Sequence, residues 1–369
     1  MRRAGPLFLV SLFSMPLTGC YVLHAANGQW DVMARRQPIA RVVSDPATPQ
    51  PVKSQLERVI EIREFAVREL ALPDNGSYRS YADVGRQYVV WNVFATQEFS
   101  VEPRRWCFPV AGCVAYRGYF SEDKARKFAA RLAREAYDVY VGGVPAYSTL
   151  GHFDDPVLNT MLGWSDVQLA AIIFHELAHQ LLYVPGDSSF NEAFASIVED
   201  EGVRRWLEQS GRVADLEVFR ERRRRHLEFV GLFERTRSRL RQLYAEELPP
   251  EQMRARKQII IAELRRDYEA RKGPGQTQLA FDSWFEQGLN NAHLVSVATY
   301  QDCVPGLRAL LTETGDDLPA FYARVRELVG KADAARREQL CGTTGETQAR
   351  RAASRYSSSR PLLDFAPRY

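Results

Sequence analysis

Ser165-Asp166-Val167-Gln168-Leu169-Ala170-Ala171-Ile172-Ile173-Phe174-His175-Glu176-Leu177-Ala178-His179 is the stretch whose periodicity sets the fold class. Ser165 and Gln168 have capping-box spacing, and Leu169, Ile172, Ile173 and Leu177 recur at helical intervals. Val184-Pro185-Gly186-Asp187 ends the run. On such a helix residues four apart project from one face, so His175 and His179 can offer imidazole nitrogens to one zinc ion. Glu176 points to the neighbouring side, where it can act as general base on a water that zinc has made acidic. Only six of the 369 residues are histidine, so HExxH by chance is on the order of one in a hundred. The competing reading is a pair of core or capping histidines on a buried helix.

A catalytic zinc needs a third protein ligand and an open fourth position. Asn191-Glu192-Ala193-Phe194-Ala195-Ser196-Ile197-Val198-Glu199 follows at a distance that allows one loop and a return helix, from about 190 to 209. Glu192, Ser196 and Glu199 share a face of that helix, with Ala195 and Ser196 small enough for close approach. Glu192 is the expected third ligand and Glu199 the second choice. The other carboxylate would orient His175 or bind a substrate amine. Against this, Ser189-x-x-Glu192 also spells a capping box. Gly142-Gly143-Val144-Pro145-Ala146-Tyr147 reads as a strand end where substrate backbone could be laid alongside, or as a plain glycine bend. His152 is a candidate for the cleft wall. His293 and Tyr300, seven apart, are candidate donors to a developing oxyanion, with core or capping roles as the alternative.

The N-terminus speaks for the compartment. Arg2 and Arg3 precede an apolar run over 6–17, too short to span a bilayer and right for a secretory segment. It ends in Leu17-Thr18-Gly19-Cys20, which resembles a bacterial lipobox, so residues 1–19 are expected to be removed and Cys20 to carry lipid. Tyr21, rather than Asp, at the next position favours the outer membrane. Cys107, Cys113, Cys303 and Cys341 remain, an even number suited to an oxidising compartment. Cys107 with Cys113, across a short turn, and Cys303 with Cys341 are the preferred pairs among three possible connectivities.

Composition is that of a globular chain: 45% hydrophobic, 26% charged, net charge +3, mean hydropathy −0.33. No second long apolar run indicates a polytopic membrane protein, and no concentrated basic footprint indicates nucleic acid. Ser54-Gln55-Leu56-Glu57 has capping-box spacing and would open a helix to Leu72. Strands are expected over 87–94, 106–110, 113–120 and 138–144, with a helix from about 121 to 137. Between 201 and 272 there are 19 Lys/Arg and 13 Asp/Glu, with Pro249-Pro250 in the middle. That predicts a solvated helical hairpin with Phe219, Leu227, Val230 and Phe233 on its seam. Arg222-Arg223-Arg224-Arg225 fits a solvated helix face better than a headgroup or nucleic-acid patch. Helices are expected from about 278 to 338.

HELAHQ followed by NEAFA resembles the gluzincin metallopeptidases, which use HExxH and a downstream Glu. The wider pattern is similar to a proteobacterial family of predicted zinc aminopeptidases that are lipoproteins. It comprises the lipobox cysteine, LPDNGSYRSYADVGRQYVVWNVFA, WCFPVAGCVAYRGYF, VYVGGVPAYSTLGHFDDPVL, HELAHQ, NEAFASIVE and NNAHLVSVATY, and spans most of 20–310. The resemblance implies Zn2+ as cofactor, peptides as substrate and aminopeptidase action. The expected architecture is α+β and zincin-like: predominantly helical, with a small mixed sheet and a long charged hairpin. One domain would cover 20–344, with the hairpin inserted at about 203–272 and a polar tail at 345–369. Its partners would be a peptide substrate and the envelope membrane, through lipid on Cys20. Nothing in the sequence fixes an oligomeric state. The alternative is a lipid-anchored binding or scaffolding protein with a structural zinc, closed by a fourth ligand such as His152 or His293.

Overall fold

Val90-Trp91-Asn92-Val93-Phe94-Ala95 forms a strand buried on both faces, and its alternation divides the molecule. In the computed structural model, which describes residues 18–108, 112–271, 281–297, 303–331, 336 and 339–341, the elements run as follows. First come α1 (Thr18–Ala34), β1 (Gln37–Pro38), α2 (Ile39–Ser44), α3 (Gln50–Leu70), β2 (Ser80–Ala82) and β3 (Val90–Gln97). Then follow β4 (Trp106–Phe108), β5 (Gly112–Val114), β6 (Tyr116–Tyr119), α4 (Glu122–Arg134), β7 (Tyr137–Val144) and β8 (Val157–Leu158). The remainder is helical: α5 (Asp166–Leu181), α6 (Ser188–Gln209), α7 (Val213–Tyr244), α8 (Pro250–Glu269), α9 (Asp282–Glu286), α10 (Asn291–Val297), α11 (Val304–Glu313) and α12 (Leu318–Val329). This is an α+β fold, mostly helical, with small sheets.

The main sheet is antiparallel in the order β6-β3-β7. Trp91, Val93 and Ala95 face α4, where Ala125, Phe128, Ala129 and Leu132 cover them. On the opposite face Phe94 and Tyr140 pack with α7, α8 and Trp284 of α9. A third and larger cluster joins α3, α5, α6, α11 and α12, with Phe174, Phe190, Phe194 and Phe321 fully buried. Each such side chain contributes about 1.5–3 kcal/mol by leaving water.

Helix α5 starts as its sequence dictates. The Ser165 hydroxyl accepts from Gln168 N at 3.4 Å while Ser165 N donates to Gln168 Oε1 at 3.1 Å. Asp187 caps α6 by accepting from Phe190 N, so the Ser189–Glu192 capping box is not formed and Glu192 is free for another role. Between these helices the Asn191 amide clamps both backbone groups of Val184, at 2.7 and 2.8 Å. At Gly202 a Cβ would lie 2.7 Å from Leu70 and Phe174, so glycine is what lets α6 pass that close.

Several elements depart from the sequence expectation. Helix α3 begins at Gln50 behind Pro49, with a proline in its first turn, which leaves Ser54 inside the helix and its capping box unused. The strand expected over 113–120 is two: β5 pairs with β4, placing Cys107 opposite Cys113, and β6 crosses to pair with β3. The strand expected to reach 110 ends at Phe108, with 109–111 outside the described residues. In the hairpin, Phe219, Val230 and Phe233 are buried but Leu227 is exposed. Eight residues from Phe219 is a turn of about 80° away from the seam. Arg224 and Arg225 pair with Glu221, and Arg223 is buried against Asp200 at 3.0 Å. Cys107–Cys113 and Cys303–Cys341 are both disulfides. Residues 1–17 of the expected 1–19 leader and all of the expected 345–369 tail lie outside the described residues.

Candidate metal centre

One turn of α5 separates His175 from His179, and their Nε2 atoms lie 3.1 Å apart. The return helix α6 brings Glu192 to the same point, with one carboxylate oxygen 3.3 Å from His175 Nε2 and the other 3.6 Å from His179 Nε2. All three residues offer donor atoms within 4.8 Å of one another. A tetrahedral ion with bonds of about 2.0–2.1 Å would separate its ligands by about 3.4 Å, so the group fits a divalent cation such as zinc. Two imidazole nitrogens aimed at each other and at a carboxylate make chemical sense around a positive charge. Glu199, two turns further along α6, sits 2.9 Å from His175 Nδ1 instead. By accepting from Nδ1–H it fixes the tautomer that leaves the Nε2 lone pair free. Among the described residues no fourth His, Cys, Asp or Glu joins the group, and His179 Nδ1 has no hydrogen-bond partner.

The electrostatics follow from crowding charge in a buried place. Burial alone would lower His175, yet hydrogen bonds to Glu192 and Glu199 hold it well above the ordinary histidine range. Burial alone would raise Glu192, and the His179 charge with hydrogen bonds from both imidazoles holds it far below. Glu176 is different: burial dominates and raises its carboxyl. The Ser148 hydroxyl, on the adjacent loop, donates to Asp155 Oδ2 at 3.4 Å. Ser148 and Thr149 belong to a loop fastened by buried Asp155, which accepts from Thr149 N and Thr149 Oγ1, each at 2.8 Å. Desolvation pushes Asp155 up to about 6, against the Thr149 hydrogen bonds.

That loop is tied back to the histidine helix. Ser77 Oγ accepts from Asp155 N and from Gln180 Nε2, both at 3.2 Å, and Asn75 Nδ2 donates to Gln180 Oε1 at 2.7 Å. Fully buried Arg63 holds the same turn from below through the carbonyls of Pro73, Asn75 and Ser77.

The donors open on a cavity of about 940 Å³ walled by α1, β3, β6, the 144–153 loop, α5 and α6. Tyr147 lines it, with its hydroxyl donating to Gln29 Oε1 at 2.5 Å. His152 does not: it is exposed, and its neighbours Leu150 and Phe153 border the cavity instead. His293 also departs from its expected place. It packs on Tyr140 and Trp284, with centroids 4.3 and 5.3 Å away, inside the cluster beneath the sheet. Helix α10 is docked by Asn291, which bonds to Glu98 and Ser100 carbonyls, and this carries His293 behind Tyr140 rather than into the cavity. Tyr300 lies outside the described residues.

Sequence reasoning missed four lining groups. Tyr183 stands four residues after His179, a spacing that could have marked it. Tyr116 enters from β6, and burial with the nearby Glu192 charge raises its hydroxyl far above the ordinary range. Asn92 is the lone polar side chain within the apolar run Val90–Ala95 of β3, which was a readable signal. Its cross-strand partners are Gly118 and Gly142, and its Oδ1 is buried without a hydrogen bond among the described residues. The fourth group is the wall contributed by α1, including Tyr21, Gln29 and Trp30.

A helix pair carrying two histidines and a glutamate at the floor of an open cavity is the arrangement of a HExxH protein, and the sequence as a whole agrees. The chain belongs to the family described as "Putative aminopeptidase", which matches residues 20–340. Neither the curated proteins nor the solved structures include a match to this chain.

Proposed function

We propose that the protein is a zinc-dependent peptide-bond hydrolase, an aminopeptidase of the bacterial envelope tethered by lipid on Cys20. The observation that carries this reading is the convergence of His175, His179 and Glu192 within 4.8 Å, with buried Glu176 beside them on the same helix. When bound there, zinc would polarise a carbonyl and lower the pKa of water to about 7. Glu176 takes the proton from the attacking water and returns it to the leaving amine; its burial makes that proton easier to hold between the two steps. Burial and the charge of Glu192 keep the Tyr116 and Tyr183 hydroxyls protonated, and Tyr116 is placed to donate to a carbonyl oxygen turning anionic. Asn92 supplies an unspent acceptor for a peptide N–H or amine. Aromatic and aliphatic walls suit apolar substrate side chains.

The test pairs metal analysis of the purified protein with a screen of aminoacyl-fluorophores against internally quenched peptides. Zinc with turnover of the first substrates supports the reading. Zinc with turnover of the second alone would make the protein an endopeptidase, and the absence of zinc would remove the mechanism.

A further inference from the structure

Among the described residues nine large apolar side chains are exposed, and four of them ring the mouth of the cavity or lie on the helix that walls it. Val22, Leu23 and Trp30 are on α1, and Phe153 is on the loop across from it. Trp30 is 75% exposed and Phe153 50%, although both also line the cavity. The exposed positions of α1 are Val22, Leu23, Ala26, Asn27, Trp30 and Ala34, a helical stripe with no charge in it.

This stripe is held outward. On the other side of α1, Tyr21 donates its hydroxyl to Gly118 O at 3.0 Å, His24 Nε2 accepts from Phe120 N at 3.2 Å, and Gln29 meets Tyr147. Gly28 lies so close to Phe120 that a Cβ would sit 2.2 Å from the ring, so the helix cannot roll its apolar face inward. At its C-terminal end Arg36 donates to Asp154 O at 2.9 Å, which joins α1 to the loop bearing Phe153. The cysteine of the lipobox is two residues before Val22, and Trp30 is about 15 Å further along the helix axis at 1.5 Å per residue.

We propose that this face, Val22, Leu23, Ala26 and Trp30 with Phe153 opposite, rests in the interfacial layer of the phospholipid bilayer, with the cavity mouth at the membrane surface. The inference rests on the lipid-anchor part of the proposed function. Lipid on Cys20 brings the bilayer to the start of α1, and a helix lying in the interface buries just such a stripe, with tryptophan preferring the headgroup level. Substrates would then be peptides taken from the bilayer surface.

The test uses the mature lipoprotein reconstituted in phosphatidylethanolamine/phosphatidylglycerol vesicles whose acyl chains are brominated, with Trp30→Tyr subtracted to isolate the Trp30 emission. The expected result is loss of at least about half of that emission, and its recovery in a lipidated Val22→Glu/Leu23→Glu variant. Trp30 as open to acrylamide on vesicles as in water, and untouched by the bromolipid, would overturn the proposal. So would Trp30 shielded by a second copy of the chain, or a protein that carries no lipid and does not bind the vesicles. Because the readout is fluorescence, a failure here and a failure to hydrolyse peptides are separate results.

Discussion

Glu192 and Glu199 both reach His175, but they meet different nitrogens. Removing Glu192 deletes a donor, whereas removing Glu199 only frees the imbalance at Nδ1. Glu199→Leu is therefore expected to weaken zinc affinity about 10–100-fold, the usual cost of losing an outer-shell partner, and Glu192→Ala by more. Competition with a chromophoric chelator would rank them, and the reverse order would reassign the ligands. His293 sets a second expectation. Burial holds its pKa down at about 4, so the folded protein keeps it neutral while the unfolded chain takes up a proton near the ordinary 6.5. Its contribution to stability is thus present above about 6.5 and lost as pH falls toward 4. Buried Asp155, raised to about 6, works in the opposite direction over part of that range. The comparison to make is urea unfolding at pH 7 and pH 5 for wild type and His293→Phe, with the smaller acid loss expected in the variant. At this scale HExxH was legible because four residues on one helix is a local relation. The role of His293 was not, because Tyr140, on which it packs, comes from a strand about 150 residues earlier in the chain.

Helix α5 and the wall over Glu176 are coupled by the 73–78 turn. Gln180, next to His179, and Asp155, under the 144–153 loop, both meet at Ser77, and Arg63 props the turn by three backbone carbonyls. Arg63→Met keeps much of the aliphatic stem and leaves those buried carbonyls unpaired, which should cost about 3 kcal/mol of stability. Urea denaturation measures it; a change below a few tenths of a kcal/mol would show that the turn does not depend on the guanidinium. Element identities along the main sheet were readable from Val, Trp, Tyr and Phe alternation, and α5 from its capping box. Boundaries failed where a competing start was stronger, as at Pro49, or where one apolar stretch serves two sheets, as on either side of Ala115. Helix α1 escaped notice because its apolar residues lie on both sides, Val32 in the core and Val22, Leu23 and Trp30 outward, so no single apolar face repeats at helical spacing.

Across the whole molecule the three apolar clusters meet at the β6-β3-β7 sheet, one beneath it, one under α4 and the largest behind α5 and α6. The cavity is the space left where the sheet, the helix pair and α1 fail to close on one another. Lys257, with its ammonium 2.7 Å from Asp138 and 3.0 Å from Glu98 O, fastens the charged hairpin to the sheet, which makes that hairpin part of the support. No sequence pattern announces such a meeting of elements, although blocks spread over 20–310 do carry the family resemblance. The central claim is that His175, His179 and Glu192 hold zinc for Glu176 to work beside. It is tested most directly by zinc content and peptide turnover of Glu176→Gln. The account predicts wild-type zinc with at least about a hundredfold loss of rate. Undiminished turnover in that variant, or a wild-type protein that binds no zinc, would contradict it.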